Sequence, residues 1–250
     1  MPRRFHVPVL RPGELPLDPA QAHHARDVLR LGIGAEVELF DDAGASAAGV
    51  ISYYGDGAVS VRVSSVDAPV SARGLQWSVA AAVPKGDRAD WMVEKLSELG
   101  ASAFIPVAAA RSVVLPEGRG KRERWMRIAT ESAKQSRRAG VMRIDPLTQL
   151  ESAIASVAAL RDEGARGWVC TTEIPGVSAA DAVDSARGSE SLTLFIGPEG
   201  GWSGDELDAF GAGAILPVRL GENILRIETA AIAAAAIVAA LFLPAAPKKR

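Results

Sequence analysis

Apolar residues follow two rhythms along this chain. Up to about residue 66 they alternate with polar ones in short runs cut by turn residues. Val37-Glu38-Leu39-Phe40 meets Asp41-Asp42-Ala43-Gly44, and Gly49-Val50-Ile51-Ser52-Tyr53-Tyr54 meets Gly55-Asp56-Gly57. Val59-Ser60-Val61-Arg62-Val63 follows. A period of two bounded by Gly and Asp predicts half-buried strands joined by hairpins. Residues 23–31 read as the one helix of this region, stopped near Gly32. A small β-rich domain is expected over 1–70, and 67–74, with Pro69 and Gly74, reads as a linker.

From Gln76 onward continuous apolar runs alternate with segments of helical period. Strands are predicted over 77–83, 103–107, 167–171, 192–196 and 214–218, and helices over 87–99, 121–138, 150–163, 203–210 and 228–243. Gly100 should end the first of these helices, and Ser203 with Glu206 has the spacing of a capping box. Apolar strands alternating with helices imply a mostly parallel sheet covered on both faces. The nearly all-apolar stretch 230–243 is short of the roughly 20 residues a membrane span needs. It reads as a helix buried on most faces.

Composition narrows the function. A chain of 250 residues, 48% hydrophobic, can bury a sizeable core in one or two domains. The single cysteine, Cys170, excludes an intrachain disulfide and points to a reducing compartment; it reads as a small buried apolar residue. Residues 1–12 lack the apolar segment of a secretory leader, so the cytoplasm is the expected location. His23-His24 lacks further ligands at metal spacing, so no metal site is expected.

The net charge is −2, from 28 basic and 30 acidic residues, which by itself suggests no polyanion. Its distribution does: over 117–143, nine basic side chains face three acidic ones, a local excess of +6. Such a stripe is the footprint expected for nucleic acid. Arg3, Arg4, Arg11, His23, His24, Arg26 and Arg30 form a second basic group, and Lys85 and Arg88 flank a predicted strand–helix turn.

Two loops carry candidate chemistry. Leu192-Thr193-Leu194-Phe195-Ile196 runs into Gly197-Pro198-Glu199-Gly200-Gly201, whose glycines let backbone groups approach a ligand. It is neither a dinucleotide fingerprint nor a phosphate loop, since no Gly-Lys-Ser/Thr follows. Leu220-Gly221-Glu222-Asn223-Ile224-Leu225-Arg226-Ile227-Glu228-Thr229-Ala230 sets a cation among apolar residues ahead of a helix. Arg226 there needs either an anionic ligand or a structural partner such as Glu228. Both loops should meet beyond the carboxyl ends of their strands.

Together with His23–Arg30, Lys85-Gly86-Asp87-Arg88, 93–100 and Ala110-Arg111-Ser112, these loops resemble the RsmE family. Its members are SPOUT-superfamily methyltransferases acting on uracil N3 in 16S ribosomal RNA. The resemblance spans nearly the whole chain. It departs at Ile227, where the family usually has Thr, and at Lys134-Gln135-Ser136-Arg137-Arg138, where the family usually reads Glu-Gln-Ser/Cys-Gly-Arg. It implies a PUA-like RNA-binding β-barrel over 1–70 and a SPOUT methyltransferase domain over 74–250. That second domain would be α/β, a mostly parallel sheet with a C-terminal trefoil knot. It implies S-adenosylmethionine as methyl donor, a homodimer, and the small ribosomal subunit as partner. The implied cofactor contacts are Thr172, Glu173, Ile196, Gly197, Pro198, Glu199, Gly200, Gly201, Leu216, Leu220, Gly221, Ile224, Leu225, Arg226 and Thr229. Arg226 and Glu228 are the implied catalytic pair, with Glu228 either orienting Arg226 or receiving the N3 proton. RNA contacts are expected at Arg3, Arg4, Arg11, His23, His24, Arg26, Arg30, Lys85, Arg88, Arg111, Arg137 and Arg138. The alternatives are a SPOUT enzyme acting on another base or a ribose, and a non-catalytic RNA-binding protein.

Overall fold

A computed structural model of the protein describes residues 3–55, 57–68, 75–116 and 118–242. Linker residues 69–74 and the basic tail at 248–250 lie outside them. The chain divides into two units, one of residues 1–72 with 133–141, the other of 73–132 with 142–250.

The first unit holds β1 (Arg3–His6), β2 (Gly13–Pro16), α1 (Pro19–His23), β3 (Glu36–Phe40), β4 (Ser46–Gly55) and β5 (Ala58–Val63). Its sheet runs β1-β3-β4-β5-β2, antiparallel except for the β1–β3 pair. The alternation seen in the sequence now has its cause. Val37, Leu39, Ile51, Val59, Val61 and Val63 point to one core with Phe5 and Leu15. The Asp41–Gly44 turn is built by buried Asp41, whose carboxylate accepts from the N–H groups of Leu10 (3.2 Å) and Ala45 (2.9 Å). The predicted helix over 23–31 is different. An α-turn starts earlier, at Pro19, capped by Asp18, and passes into a π-helical turn at His24–Val28. Strands β1 and β2 carry too few apolar residues to show a period.

The second unit alternates β6 (Gln76–Ala81), α2 (Arg88–Leu99), β7 (Ala103–Ala108), α3 (Arg119–Ser136), β8 (Arg143–Ile144), β9 (Thr148–Gln149), α4 (Leu150–Ala159), β10 (Ala165–Cys170), β11 (Val177–Ser178), α5 (Ala179–Ala186), β12 (Ser191–Ile196), α6 (Gly204–Ala212), β13 (Leu216–Arg219) and α7 (Ile227–Leu241). The last residues of α3 cluster with the first unit. Every strand pair here is parallel, in the order β11-β13-β10-β12-β6-β7-β8, with β9 beside β7. Successive residues serve opposite faces. Val169 packs with Phe195, Phe210 and Ile154 beneath α4 and α6, while the Trp168 indole donates to Ser185 of α5 (3.1 Å). Helix α7 buries Ala231, Ala234, Ala235 and Val238 and packs on α2, β6 and β12. Its alanines allow that close approach, and beyond Thr229 on the first turn the next exposed residues are Ala240 and Leu241. Among the described residues, no helix is long and apolar enough to cross a membrane, and no cluster of metal-ligating side chains forms.

Candidate active site

Strand β10 lies between β12 and β13, and Cys170 pairs level with both Ile196 and Val218. Three loops therefore leave the sheet side by side: 171–173, 197–202 and 220–226. They enclose a cavity of about 290 Å³. In an open α/β sheet this is where ligands bind.

The glycine loop is held from below. Trp202 packs its indole against Gly197, where a Cβ would sit 2.9 Å from the ring. Gly201 has φ +72, and a side chain there would run into the Glu173 carboxylate. Glu173 accepts from the Trp202 backbone N–H (2.9 Å), and its own N–H donates to Thr171 Oγ1 (3.1 Å). Arg111 donates to the carbonyls of Gly200 (2.7 Å) and Trp202 (3.1 Å). The capping box at the start of α6 forms as its spacing predicts. Buried Glu206 accepts from Ser203 N–H and Ala110 N–H, each at 2.7 Å.

The cavity is lined by Thr172, Glu173, Ile196, Gly197, Pro198, Glu199, Gly200, Gly201, Leu220, Gly221, Ile224 and Leu225, all expected from the sequence. Three expected residues do not line it. Leu216 pairs with Trp168, two residues short of the carboxyl end of β10. Arg226 is the exposed residue preceding α7, and Thr229 is exposed on its first turn. Cys170, Thr171, Trp202, Asn223, Ile227 and Ala230 line it in addition. Ile227 and Ala230 stand three apart on one helix face, a pairing that periodicity could have shown. Burial pushes the Cys170 thiol up to about 12, so it stays protonated at neutral pH.

Glu228 does not pair with Arg226. It is buried, and its Oε1 meets Arg88 Nη1 at 3.3 Å, while Arg88 Nη2 meets Glu199 Oε1 at 3.3 Å. Arg226 has no hydrogen-bond or ion-pair partner among the described residues.

Several residues expected to meet RNA are engaged within the protein. Arg4 is nearly enclosed: it pairs with Glu38 (3.1 Å), lies over the Phe40 ring and donates to the carbonyls of Ala133 and Arg138. Arg137 also pairs with Glu38 (3.7 Å), and burial lowers the Arg138 guanidinium to about 10. His23 and Arg26 share Asp27, which they hold down at about 2, the Arg26 hydrogen bond contributing most. Arg3, Arg11, His24, Arg30 and Lys85 are exposed.

The family model described as an RNA methyltransferase domain matches residues 72–239, and the RNA methyltransferase PUA domain matches 17–64. The chain belongs to the RNA methyltransferase family. Among its relatives, the Ribosomal RNA small subunit methyltransferase E of Mycobacterium tuberculosis is 34% identical over 242 residues, covering 90% of this chain and 86% of that one. The Bacillus subtilis protein of the same name is 32% identical over 220 residues, covering 84% and 83%. A Legionella pneumophila methyltransferase solved with bound SAM superposes with a TM-score of 0.82 at 25% identity, covering 96% of this chain and 98% of its own. In this RNA methyltransferase the parallel sheet therefore carries the matched methyltransferase domain, and most of the N-terminal sheet the PUA domain.

Proposed function

We propose that the protein methylates N3 of a uridine in 16S ribosomal RNA of the small subunit, with S-adenosylmethionine as donor. The observation that carries this reading is the cavity at the carboxyl ends of β13, β10 and β12, with Arg226 beside it and without a partner among the described residues. Its lining suits the donor. Ile196, Leu220, Ile224 and Leu225 offer apolar walls to an adenine ring, and Ile224, 88% exposed, is held out where a ligand can cover it. Glycine backbone groups and the Glu173 and Glu199 carboxylates offer partners for ribose hydroxyls and cationic groups. When bound, the donor supplies a methyl group made electrophilic by its sulfonium. No metal is required for that chemistry.

Uracil N3 becomes nucleophilic when its imide proton leaves to solvent, and the resulting negative charge spreads onto the flanking carbonyl oxygens. Arg226, exposed beside the cavity, is the group assigned to stabilise that charge. Of the two roles expected of Glu228, its burial and its pairing with Arg88 support orienting Arg226, through the backbone between them, rather than proton acceptance. The target base must leave its stack to reach the site.

The same reading takes residues 1–70 as a PUA-like RNA-binding barrel and 74–250 as the SPOUT domain. Phosphate contacts from exposed cations would orient the RNA without reading its sequence. A trefoil-knotted path is supported by the strand order, which inserts β10 between β12 and β13. A second copy of the chain is supported by an open, mainly apolar groove of about 680 Å³ between α5 and α7. The cytoplasm, where the ribosomal substrate resides, is the expected location.

The test is methyl transfer from labelled donor to small ribosomal subunits lacking the modification, with the product nucleoside identified. N3-methyluridine establishes the reading. Another methylated nucleoside replaces it with a different SPOUT specificity, and no transfer without donor binding favours an RNA-binding protein.

A further inference from the structure

We propose that Arg88 is a positioning residue of the methyl-transfer site, tying the glycine loop to the first turn of α7 through Glu199 and Glu228. The proposal rests on the methyltransferase reading and goes beyond it. Three residues distant in sequence meet here. Arg88 opens α2 after a turn in which Gly86 adopts φ +65. Ala89, Met92 and Val93 then bury the helix, and α2 packs on α7. The backbone that carries Arg88 is therefore fixed before its side chain meets either carboxylate.

Glu228 is the buried end of the tie. Its side chain is 7% accessible, Arg88 is its counter-charge at 3.3 Å, and its Oε2 has no hydrogen-bond partner among the described residues. A carboxylate in that setting is costly unless paired. Glu199 is the open end, on the cavity wall. A planar guanidinium can hold both carboxylates in one orientation, which a single ammonium does less well. Arg226, two residues before Glu228, has no side-chain partner among the described residues, so its direction depends on the backbone that Glu228 anchors.

The arrangement also argues against Arg88 as a phosphate contact. One cation between two carboxylates presents a net −1, which repels phosphate.

The experiment compares wild type with Arg88→Ala, Arg88→Lys, Glu228→Gln and the Arg88→Ala/Glu228→Gln double variant. Methyl transfer to small subunits is measured alongside urea unfolding without donor or RNA. In Arg88→Ala, kcat should fall at least about tenfold, with the KM for subunits changed less than about twofold. Arg88→Lys should recover part of the loss. The double variant should be no worse than the poorer single one, in kcat and in unfolding midpoint, because the two changes break one contact. Additive losses overturn the proposal. So does an unchanged kcat with a raised KM and a salt slope reduced by about one, the signature of a lost phosphate contact. If Arg88→Ala does not fold, Arg88→Lys and Glu228→Gln carry the comparison: a kcat loss in both supports the tie, and wild-type kcat in both overturns it. A wild type that is inactive on subunits fails the methyltransferase reading, while the unfolding data still judge the Arg88–Glu228 tie.

Discussion

Arginine does several different jobs in this chain, and partners separate them. Arg4 and Arg111 are engaged by carbonyls and carboxylates, whereas Arg226 has no partner among the described residues. A side chain with no structural contact to lose makes a clean test. Arg226→Ala should lower kcat on the order of 10²–10³-fold, the usual effect of removing one group that stabilises developing negative charge. Donor affinity, measured by calorimetry, should stay within about twofold. A kcat near wild type would remove Arg226 from the chemistry. Cys170 gives a second test at this scale. Because burial raises its thiol to about 12, the neutral form persists in the folded protein. Alkylation of the native protein should be far slower than that of a free thiol and should still be climbing at pH 10, with no plateau. The urea-unfolded chain should instead show the rise through roughly pH 8.5 of a free thiol. A native rate that levels off just above the same pH would show that the thiol is not shielded.

At the scale of elements, the glycine loop owes its shape to the turn that follows it. Ser203 caps α6 through the Glu206 N–H, and Glu206 returns the bond while also accepting from Ala110 N–H. Ser203→Ala should therefore cost about 1 kcal/mol, the ordinary value of a cap. Glu206→Ala should cost more, because it leaves two backbone donors without their acceptor inside the fold. Denaturant unfolding of both variants checks the order; equal losses would mean the Ala110 bond contributes nothing. This cap was legible from the Ser203–Glu206 spacing, as the strands over 192–196 and 103–107 were from their apolar runs. Helix α5 was not: it is only eight residues long, and its buried face, Ala179, Ala182, Val183 and Ala186, is mostly alanine, a residue that does not by itself mark a core position. Nor was the reach of Leu216, because periodicity gives the face of a strand residue and not its distance from the strand's end. The resemblance named most of the cavity lining, yet it could not show that Glu228 faces Arg88. That contact depends on α2 packing against α7, which only the tertiary fold determines.

For the whole molecule, the question is how a chain of net charge −2 holds a polyanion. Part of the local excess over 117–143 is consumed internally. Arg124 pairs with Asp90 (2.5 Å), Arg143 with Asp145 (2.6 Å) and Arg137 with Glu38, and Arg122 donates to the Ile144 carbonyl. A basic stretch in sequence thus overstates the basic surface in the fold. Arg119 and Arg127 are different: both are exposed on α3 and neither has an ion-pair or hydrogen-bond partner among the described residues. Each phosphate contact contributes about 0.7–0.9 to the slope of log K against log salt. If both arginines meet RNA, the Arg119→Ala/Arg127→Ala variant should reduce the slope for small-subunit RNA by about 1.4–1.8 and leave the fold intact. Arg187→Ala, which removes an exposed cation already paired with Asp184 on α5, should leave the slope as it is. A slope unchanged in the double variant would move the RNA path off α3 and toward Arg3, Arg11 and Arg30 of the first unit. A slope lowered equally by Arg187→Ala would mean that general charge, rather than a defined path, binds the RNA.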